Sequence, residues 1–150
     1  MTNPLNSSLA VNSNATPQKV RHALPKRCRL RARAEFQKVY AEGRRYDGRL
    51  MAAFLRANDL AEHRLGLTAS TKAVGKSVDR NRARRLLREV FRRSGNELNA
   101  LRHRYDWVIN AKRSLLSSNE ELRFREFRRI VEQLARDEKL SPSPPRRGLG

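Results

Sequence analysis

The sequence predicts an α/β domain, an α+β sandwich in which helices pack on one small mixed sheet. Three observations lead to this prediction. Apolar residues recur with helical period in three separate segments. Between these segments lie short runs that are either wholly apolar or alternate with period two, as strands do. Because the two patterns are interleaved along only 150 residues, they fit one layered domain with one core.

The first helical segment covers residues 32–42. Phe36, Val39 and Tyr40 fall on one face of this helix, so we expect that face to pack on other elements. Gly43 follows directly and is the expected stop, because glycine readily adopts the left-handed conformation that ends many helices.

Strand patterns occupy the centre of the chain. Residues 50–56 form an apolar run bounded by turn residues, and there is room for a further short strand near 44–48. Residues 64–70 alternate between large apolar side chains and small or polar ones. Residues 105–111 place Trp107 and the residue after it on opposite sides of a strand. These runs predict at least three strands in the sheet.

The most informative stretch is residues 72–93, where nine Lys or Arg residues stand against two acids, a local net charge of +7. Its second half has an apolar stripe at i, i+3, i+4, i+7 and i+8, formed by Ala83, Leu86, Leu87, Val90 and Phe91. The residues that point away from this stripe are Asn81, Arg84, Arg85, Arg88 and Arg92. We therefore predict a helix over 79–93, with Ser77 or Asp79 as its N-cap.

Arginine on that outer face indicates a polyanionic ligand. Its planar guanidinium group binds phosphate oxygens bidentately and stacks on bases, whereas lysine does neither. Like charges crowded on one helix face also repel each other, which lowers stability unless a polyanion lies there. The alternative is an ordinary solvated face with salt bridges. That arrangement needs interspersed acids, and here only Asp79 and Glu89 are present.

The last helix is predicted from a start signal and a stripe. Ser117 and Ser118 precede Glu120 and Glu121 at the spacing of a capping box. The apolar stripe consists of Phe127, Ile130, Val131 and Leu134. We expect this helix to end near Lys139.

Composition divides the chain into one domain and two tails. Residues 1–25 are rich in Asn, Ser, Thr, Pro and Ala, with too few large apolar groups to order themselves. Residues 140–150 form a stretch rich in Pro and Ser. We therefore expect disordered tails at both ends and a single folded domain over residues 26–139.

The overall charge also points to a polyanionic partner. The net charge is +19, and a chain this basic is expected to bind nucleic acid first and an anionic membrane surface second. The longest uncharged apolar run, residues 50–55, is far too short to span a bilayer. Cys28 is the single cysteine, which excludes an intrachain disulfide and fits a reducing cytoplasm.

We find no catalytic constellation in the sequence. Gly75, Lys76 and Ser77 lie between a strand and a helix, as in a phosphate-binding P-loop, but that motif needs a glycine where Ser70 stands. Cys28 lies near arginines that could lower its pKa, yet no catalytic partner is evident. Surface positions without metal-ligand spacing are expected for all three histidines, His22, His63 and His103.

Residues 75–92, GKSVDRNRARRLLREVFR, resemble the signature of the protein subunit of bacterial ribonuclease P. In that family an Arg-Asn-Arg core, here residues 80–82, is followed by a basic pair, apolar positions, an arginine and a phenylalanine. This chain supplies Arg84 and Arg85 as the pair, with Arg88 and Phe91 after them. The match is long and irregular, so it is more specific than a basic helix alone.

The resemblance covers roughly residues 24–137 and implies an accessory subunit of a ribonucleoprotein enzyme. In that enzyme the RNA, with bound magnesium ions, cuts precursor tRNA and releases its 5′ leader. The protein alone is then expected neither to be catalytic nor to bind a cofactor. The implied partners are the catalytic RNA, with one protein per RNA, and precursor tRNA, in the cytoplasm and away from membranes.

The resemblance also implies two RNA-binding sites. Contacts with the catalytic RNA would come from Lys72, Lys76, Arg80, Asn81, Arg82, Arg84, Arg85 and Arg88. The leader would lie in a cleft between the first helix and the sheet, lined by Phe36, Tyr40 and Phe54. Spacing alone favours ordinary core positions for these three rings, and only the resemblance favours the cleft.

Two alternatives stay open at this point. Strand 64–70, helix 79–93 and strand 105–111 form a β-α-β unit, for which a right-handed crossover is the general rule. The resemblance implies the left-handed crossover of a ribosomal-protein-like fold instead. A ribosomal protein or another structured-RNA-binding module would share the composition of this chain, and only the motif at 75–92 separates the two functions.

Overall fold

The computed structural model describes residues 24–140. The elements, in chain order, are α1 (Arg33–Glu42), β1 (Arg44–Asp47), β2 (Met51–Asn58), β3 (Arg64–Thr68), α2 (Ser77–Arg93), α3 (Gly95–Asn99), β4 (Arg104–Ala111) and α4 (Glu120–Leu140). The 3₁₀ turns are Lys26–Cys28 and Arg113–Ser117. Except for Leu24, Pro25 and Leu140, the two predicted tails lie outside the described residues.

The predicted α/β class with a small mixed sheet is confirmed. The four strands are ordered β1-β2-β4-β3, with β3 and β4 parallel and the other two pairs antiparallel. β1 is the short strand expected near 44–48, whereas the five-residue α3 was not predicted. β3, α2 and β4 form the expected crossover, and its left hand stays a prediction.

Alternation along β4 divides the core into two parts. Trp107 and Ile109 belong to the large cluster covered by α2, α3 and α4, whereas Val108 belongs to a small cluster covered by α1. The ring centroid of Trp107 lies 5.8 Å from that of Phe91 on α2 and 5.4 Å from that of Phe127 on α4. These contacts confirm the stripes predicted for both long helices, and they place α1 alone on the other face.

Gly43 ends α1, as predicted. Its φ of −89° and ψ of 167° are extended, so it does not adopt the left-handed conformation common at helix ends. A Cβ atom at this position would lie 2.6 Å from the carbonyl oxygen of Leu55 on β2. Glycine is needed here because two backbone segments approach too closely for a side chain.

The N-cap predicted for α2 is wrong. The helix begins at Ser77, its N-cap is Lys76, and no side chain caps it. Asp79 lies within the first turn, where a carboxylate interacts favourably with the positive end of the helix dipole. The helix therefore starts two residues earlier than the predicted start at residue 79.

The capping box predicted for α4 is replaced by a different cap. Asn119 Oδ1 accepts a hydrogen bond from the backbone N–H of Leu122 at 2.8 Å, which is the geometry of an N-cap asparagine. The hydroxyl groups of Ser117 and Ser118 instead donate to carbonyl groups three residues earlier and close the preceding 3₁₀ turn.

Two buried carboxylates on α4 hold the ends of the sheet. Glu126 accepts hydrogen bonds from the backbone N–H groups of residues 49–51 at 2.8–3.1 Å, which fixes the β1–β2 turn. Glu138 accepts from the backbone N–H groups of residues 102–103 and from the Tyr105 hydroxyl at the start of β4. Multiple N–H donors are what make such burial of charge tolerable.

The surface position predicted for His63 is wrong. This side chain is buried, and its Nε2 lies 3.1 Å from the carbonyl oxygen of Leu98. Its Nδ1 lies 3.1 Å from the Tyr105 backbone nitrogen and 3.2 Å from Trp107 Nε1. Because Nδ1 accepts from two N–H donors, the imidazole is neutral, and burial lowers its pKa. His103 is half-buried, and His22 lies outside the described residues.

Cys28 does not have the lowered pKa that its arginine neighbours suggested. The thiol is buried and donates to the Glu62 carboxylate, with its Sγ 3.3 Å from Oε1. Burial, then the hydrogen bond to Glu62, raises the pKa of Cys28, so the predicted passive thiol is the consistent interpretation.

Among residues 24–140, no helix is both long enough and apolar enough to cross a membrane.

We expect Leu87→Ala to destabilise the domain. Leu87 is 1% exposed and lies on the α2 stripe in the large cluster, so truncation leaves a cavity. The free energy of unfolding should fall by about 2–5 kcal/mol, measured by urea denaturation at an unchanged slope. Val78→Ala on the same helix is the matched control, because Val78 is 74% exposed. An equal effect of both substitutions would contradict the predicted burial of the stripe.

Candidate nucleic-acid interface

Helix α2 turns one face to the core and the other to solvent. Ala83, Leu87, Val90 and Phe91 are buried, and Leu86 is partly buried against the same cluster. The periodicity of the sequence produces this division, since one side of an α-helix repeats every three to four residues. The outer side is therefore presented on a helix whose orientation is fixed by core packing.

Two predicted contact residues are engaged with the backbone of neighbouring segments. Arg80 Nε donates to the carbonyl oxygen of Gly75 at 3.2 Å, and Arg82 Nη1 donates to that of Leu116 at 3.2 Å. Arg113 Nη1 donates to the carbonyl oxygen next to Gly75, that of residue 74, at 2.8 Å. These contacts shape the loop before α2, and Gly75 itself has a φ of +116°, which disfavours any other residue.

Three further arginines of the motif, Arg84, Arg85 and Arg88, form what we call the arginine face. Arg84 Nη2 donates to Asn81 Oδ1 at 3.3 Å, within the motif. The side chains of Arg85 and Arg88 are exposed and contact no carboxylate in the part of the chain that the structure describes. Exposed side chains are also found at the two predicted loop positions, Lys72 and Lys76.

Two nearby acids, Glu89 of α2 and Glu120 of α4, pair with arginines outside the arginine face. Glu89 pairs with Arg92 at 3.1 Å and with Arg93 at 3.6 Å, and Arg93 also pairs with Glu120 of α4 at 2.6 Å. Arg92 was predicted on the outer row together with the arginine face. In the structure it is half-buried and ion-paired instead. The carboxylates thus neutralise the C-terminal end of α2 and leave its middle basic.

The effect of this arrangement is visible at Arg88. Partial desolvation lowers the pKa of this guanidinium, and the nearby charges of Arg29, Arg84 and Arg85 lower it further. Burial and the three neighbouring positive charges therefore both disfavour the charged form of Arg88. The face can relieve this repulsion by binding an anion.

The second predicted site lies between α1 and the sheet. Phe36 packs over β3, where a Cβ on Gly66 would lie 2.6 Å from the Phe36 ring. One turn later, Tyr40 contacts Phe54 of β2 edge-on, with ring centroids 4.8 Å apart. Arg45 of β1 lies 5.7 Å from the Phe54 ring centroid. The three predicted rings are therefore together on one side of the sheet, and Tyr40 is 40% exposed there.

No sequence pattern pointed to a polar group beside these three rings. Asn110 of β4 accepts hydrogen bonds at its Oδ1 from the Tyr40 hydroxyl at 2.9 Å and from the Thr68 hydroxyl at 2.7 Å. These three residues come from three elements far apart in sequence, so only the strand register brings them together. The hydrogen bond restrains the Tyr40 hydroxyl group, while the aromatic ring remains accessible to solvent.

The position of α1 is fixed by an ion-pair network on the face of the sheet that α1 covers. Arg64 of β3 binds both oxygens of Asp106 at 2.8 Å and also contacts Glu35 of α1 at 3.2 Å. Glu35 accepts the backbone N–H groups of Arg31 and Ala32 at 2.8 and 3.0 Å. Those backbone hydrogen bonds lower the pKa of Glu35 more than Arg64 does. Through its contacts with Arg64 and with these backbone groups, Glu35 keeps the first turn of α1 against the sheet.

Within residues 24–140, no three His, Cys, Asp or Glu side chains are grouped as a metal site would require.

Solved structures share this fold. The ribonuclease P protein of Staphylococcus aureus superposes with a TM-score of 0.61 at 21% sequence identity, covering 71% of this chain and 94% of that one. The ribonuclease P protein of Thermotoga maritima superposes with a TM-score of 0.61 at 24% identity, covering 70% of this chain and 96% of that one.

Relatives found by sequence are more similar to this chain than these two structures are. The ribonuclease P protein component of Coxiella burnetii is 36% identical over 115 residues, covering 77% of this chain and 92% of that protein. That of Fusobacterium nucleatum is 33% identical over 111 residues, covering 74% and 96%. The sequence model of the Ribonuclease P family matches residues 24–135, which include both predicted sites. This chain therefore belongs to the ribonuclease P protein family.

Proposed function

We propose that this chain is the accessory protein subunit of ribonuclease P. It binds the catalytic RNA through α2 and the 5′ leader of precursor tRNA through the α1 cleft. By doing so it promotes endonucleolytic removal of the leader and maturation of the tRNA 5′ end. The observation that carries the proposal is the arginine face, whose charges have no carboxylate partners among residues 24–140 although α2 is firmly packed.

The arginine face fits a phosphate backbone. Arg85 and Arg88 present whole guanidinium groups, and Lys72 and Lys76 add exposed charges from the loop. Arg80 and Arg82 hold that loop and the 3₁₀ turn in place, so they position the surface as well as adding charge to it. Such contacts give strong, salt-dependent affinity without reading base sequence.

The α1 cleft fits an unpaired strand. An accessible aromatic ring beside a cation stacks on bases of any identity, which suits leaders of varied sequence. Tyr40 and Phe54 with Arg45 have this arrangement. Phe36 lies deeper against Gly66, so its contribution is to wall the cleft as much as to stack.

The chemistry of the cut is assigned to the RNA. In this proposal magnesium is bound mainly by the RNA, and one protein acts per RNA in the cytoplasm. The buried His63 and Cys28 serve the fold, since His63 bonds to backbone and Trp107 and Cys28 to Glu62.

The purified chain without RNA should not cleave precursor tRNA, because we find no activated nucleophile among residues 24–140. Adding the cognate catalytic RNA should produce cleavage at one site at low magnesium, measured on a 5′-labelled precursor. Magnesium-dependent cleavage that follows the RNA-free protein through purification would refute the assignment. Copurification with RNA of roughly ribosomal size would favour a ribosomal protein instead.

Replacing Arg84, Arg85 and Arg88 together by Ala should weaken binding of the catalytic RNA. Log K falls as log salt rises, and each lost phosphate contact reduces the magnitude of that negative slope by roughly 0.7–0.9, so the slope should become shallower by about 2–3. Thermal stability should not fall, since these side chains lie off the buried stripe. The measurement is a binding titration at several salt concentrations.

The matched control removes the same charge elsewhere. Arg128, Arg129 and Arg136 are exposed on the outside of α4 and have no ion pair with another described residue. Their combined replacement by Ala should change the slope much less. Equal slopes for both triple variants would mean that only net charge matters, and an unchanged slope for the α2 variant would make its face a solvated surface.

Tyr40→Ala should weaken binding of precursor tRNA to the holoenzyme by about 1–3 kcal/mol, the contribution of one ring stacked on a base. Mature tRNA lacks the leader and should bind wild type and variant equally. Tyr40→Phe keeps the ring and loses only the hydrogen bond to Asn110, so it should retain most of the affinity. Paired titrations of precursor and mature tRNA measure this difference. Equal losses for both ligands would place Tyr40 in the core rather than in a leader site.

A further inference from the structure

The arginine face is bordered by a chain segment from outside α2. The backbone N–H of Leu30 donates to the carbonyl oxygen of Leu65 at 2.9 Å, and Arg29 pairs with Leu65 in a parallel bridge. Since β3 is an edge strand, these two residues extend the sheet by one short step. The segment before α1 is therefore fixed to the sheet beside α2.

Alternation sends the two side chains of this segment to opposite faces. Paired residues on neighbouring strands point to the same side, and Leu65 belongs to the large cluster beneath α2. Arg29 therefore points to the α2 side. Leu30 points the other way and belongs to the small cluster beneath α1.

Arg29 is held next to the arginine face without an acidic partner. Its Nε donates to the carbonyl oxygen of Leu24 at 2.9 Å, which restrains the guanidinium, and no carboxylate of the described chain pairs with it. Its charge is the first of the three arginine charges that lower the pKa of Arg88, after desolvation. Arg27, two residues earlier, is different, because it pairs with Glu62 at 2.7 Å.

We propose that Arg29 is a further contact with the catalytic RNA, so that one RNA surface spans α2 and the segment before α1. The inference rests on the proposed function of the arginine face. Four guanidinium groups from two separate chain segments repel one another in the free protein. A phosphate bound among them offsets that repulsion, and it does so for Arg29 as well as for Arg88.

The experiment is a salt series of binding titrations with the cognate catalytic RNA. Arg29→Gln should make the negative slope of log K against log salt shallower by roughly 0.7–0.9, the change expected for one lost phosphate contact. Arg29→Lys keeps the charge and should keep the slope. Arg27→Gln is the matched control from the same segment and should leave the slope unchanged, because Arg27 is already paired with Glu62.

A wild-type slope for Arg29→Gln, together with a shallower slope for the Arg84, Arg85 and Arg88 variant, would overturn this inference and leave the proposed function standing. Unchanged slopes for both would overturn both. A second measurement needs no substitution: phenylglyoxal modifies exposed arginines, and mass spectrometry locates them. Bound catalytic RNA should protect Arg29 in the wild-type protein and leave Arg27 reactive, whereas equal reactivity of Arg29 with and without RNA would refute the contact.

Discussion

The structure depends on where a strongly basic chain places its few carboxylates. With 34 Lys and Arg against 15 Asp and Glu, many cations must lack an acidic partner. The three buried acids of the described chain lie at joints between elements: Asp106 binds Arg64, Glu126 binds the β1–β2 turn and Glu138 binds the start of β4. Buried carboxylates are tolerated where several N–H donors surround them, so these acids fix the fold and cannot neutralise the surface.

The arginine face follows from that distribution and from the strength of the packing beneath it. Arg84 and Arg85 lie four and three residues before Arg88, and a like-charge pair at this spacing costs roughly 0.2–0.5 kcal/mol. Burying one Leu, Val or Phe side chain contributes about 1.5–3 kcal/mol, and α2 buries Leu87 and Phe91 among others. The helix therefore stays folded with its charges uncompensated. A bound polyanion would offset the repulsion among these charges, so relief of that repulsion would contribute to the free energy of binding.

Features set by residues close together in the sequence could be predicted, whereas features set by contacts between distant residues could not. Helix α2 and its stripe were predicted to within two residues at each end, because periodicity is a local signal. The N-cap of α2 was predicted wrongly, because several residues within one or two positions of Ser77 are suitable N-caps. The path of the preceding loop, which the sequence does not show, decides which of them takes that position. The cleft was predicted only by resemblance: Tyr40 meets Asn110 across 70 positions, and strand register alone creates that contact. His63 was misplaced for the same reason, because its partners lie in distant elements.

The two proposed RNA surfaces lie on opposite faces of one sheet, and the register of that sheet sets the distance between them. At the edge of β3, Arg29 faces α2 whereas Leu30 lies under α1. A slip of one residue would exchange these faces, and both core clusters oppose it. Arg64, bound to Asp106 of β4, pairs with Glu35 and so holds the first turn of α1 on its side of the sheet. A substrate strand in the α1 cleft would thus be held at a constant distance from RNA bound on α2. Under the proposed function, that constant distance is the physical means by which the protein influences where the precursor is cut.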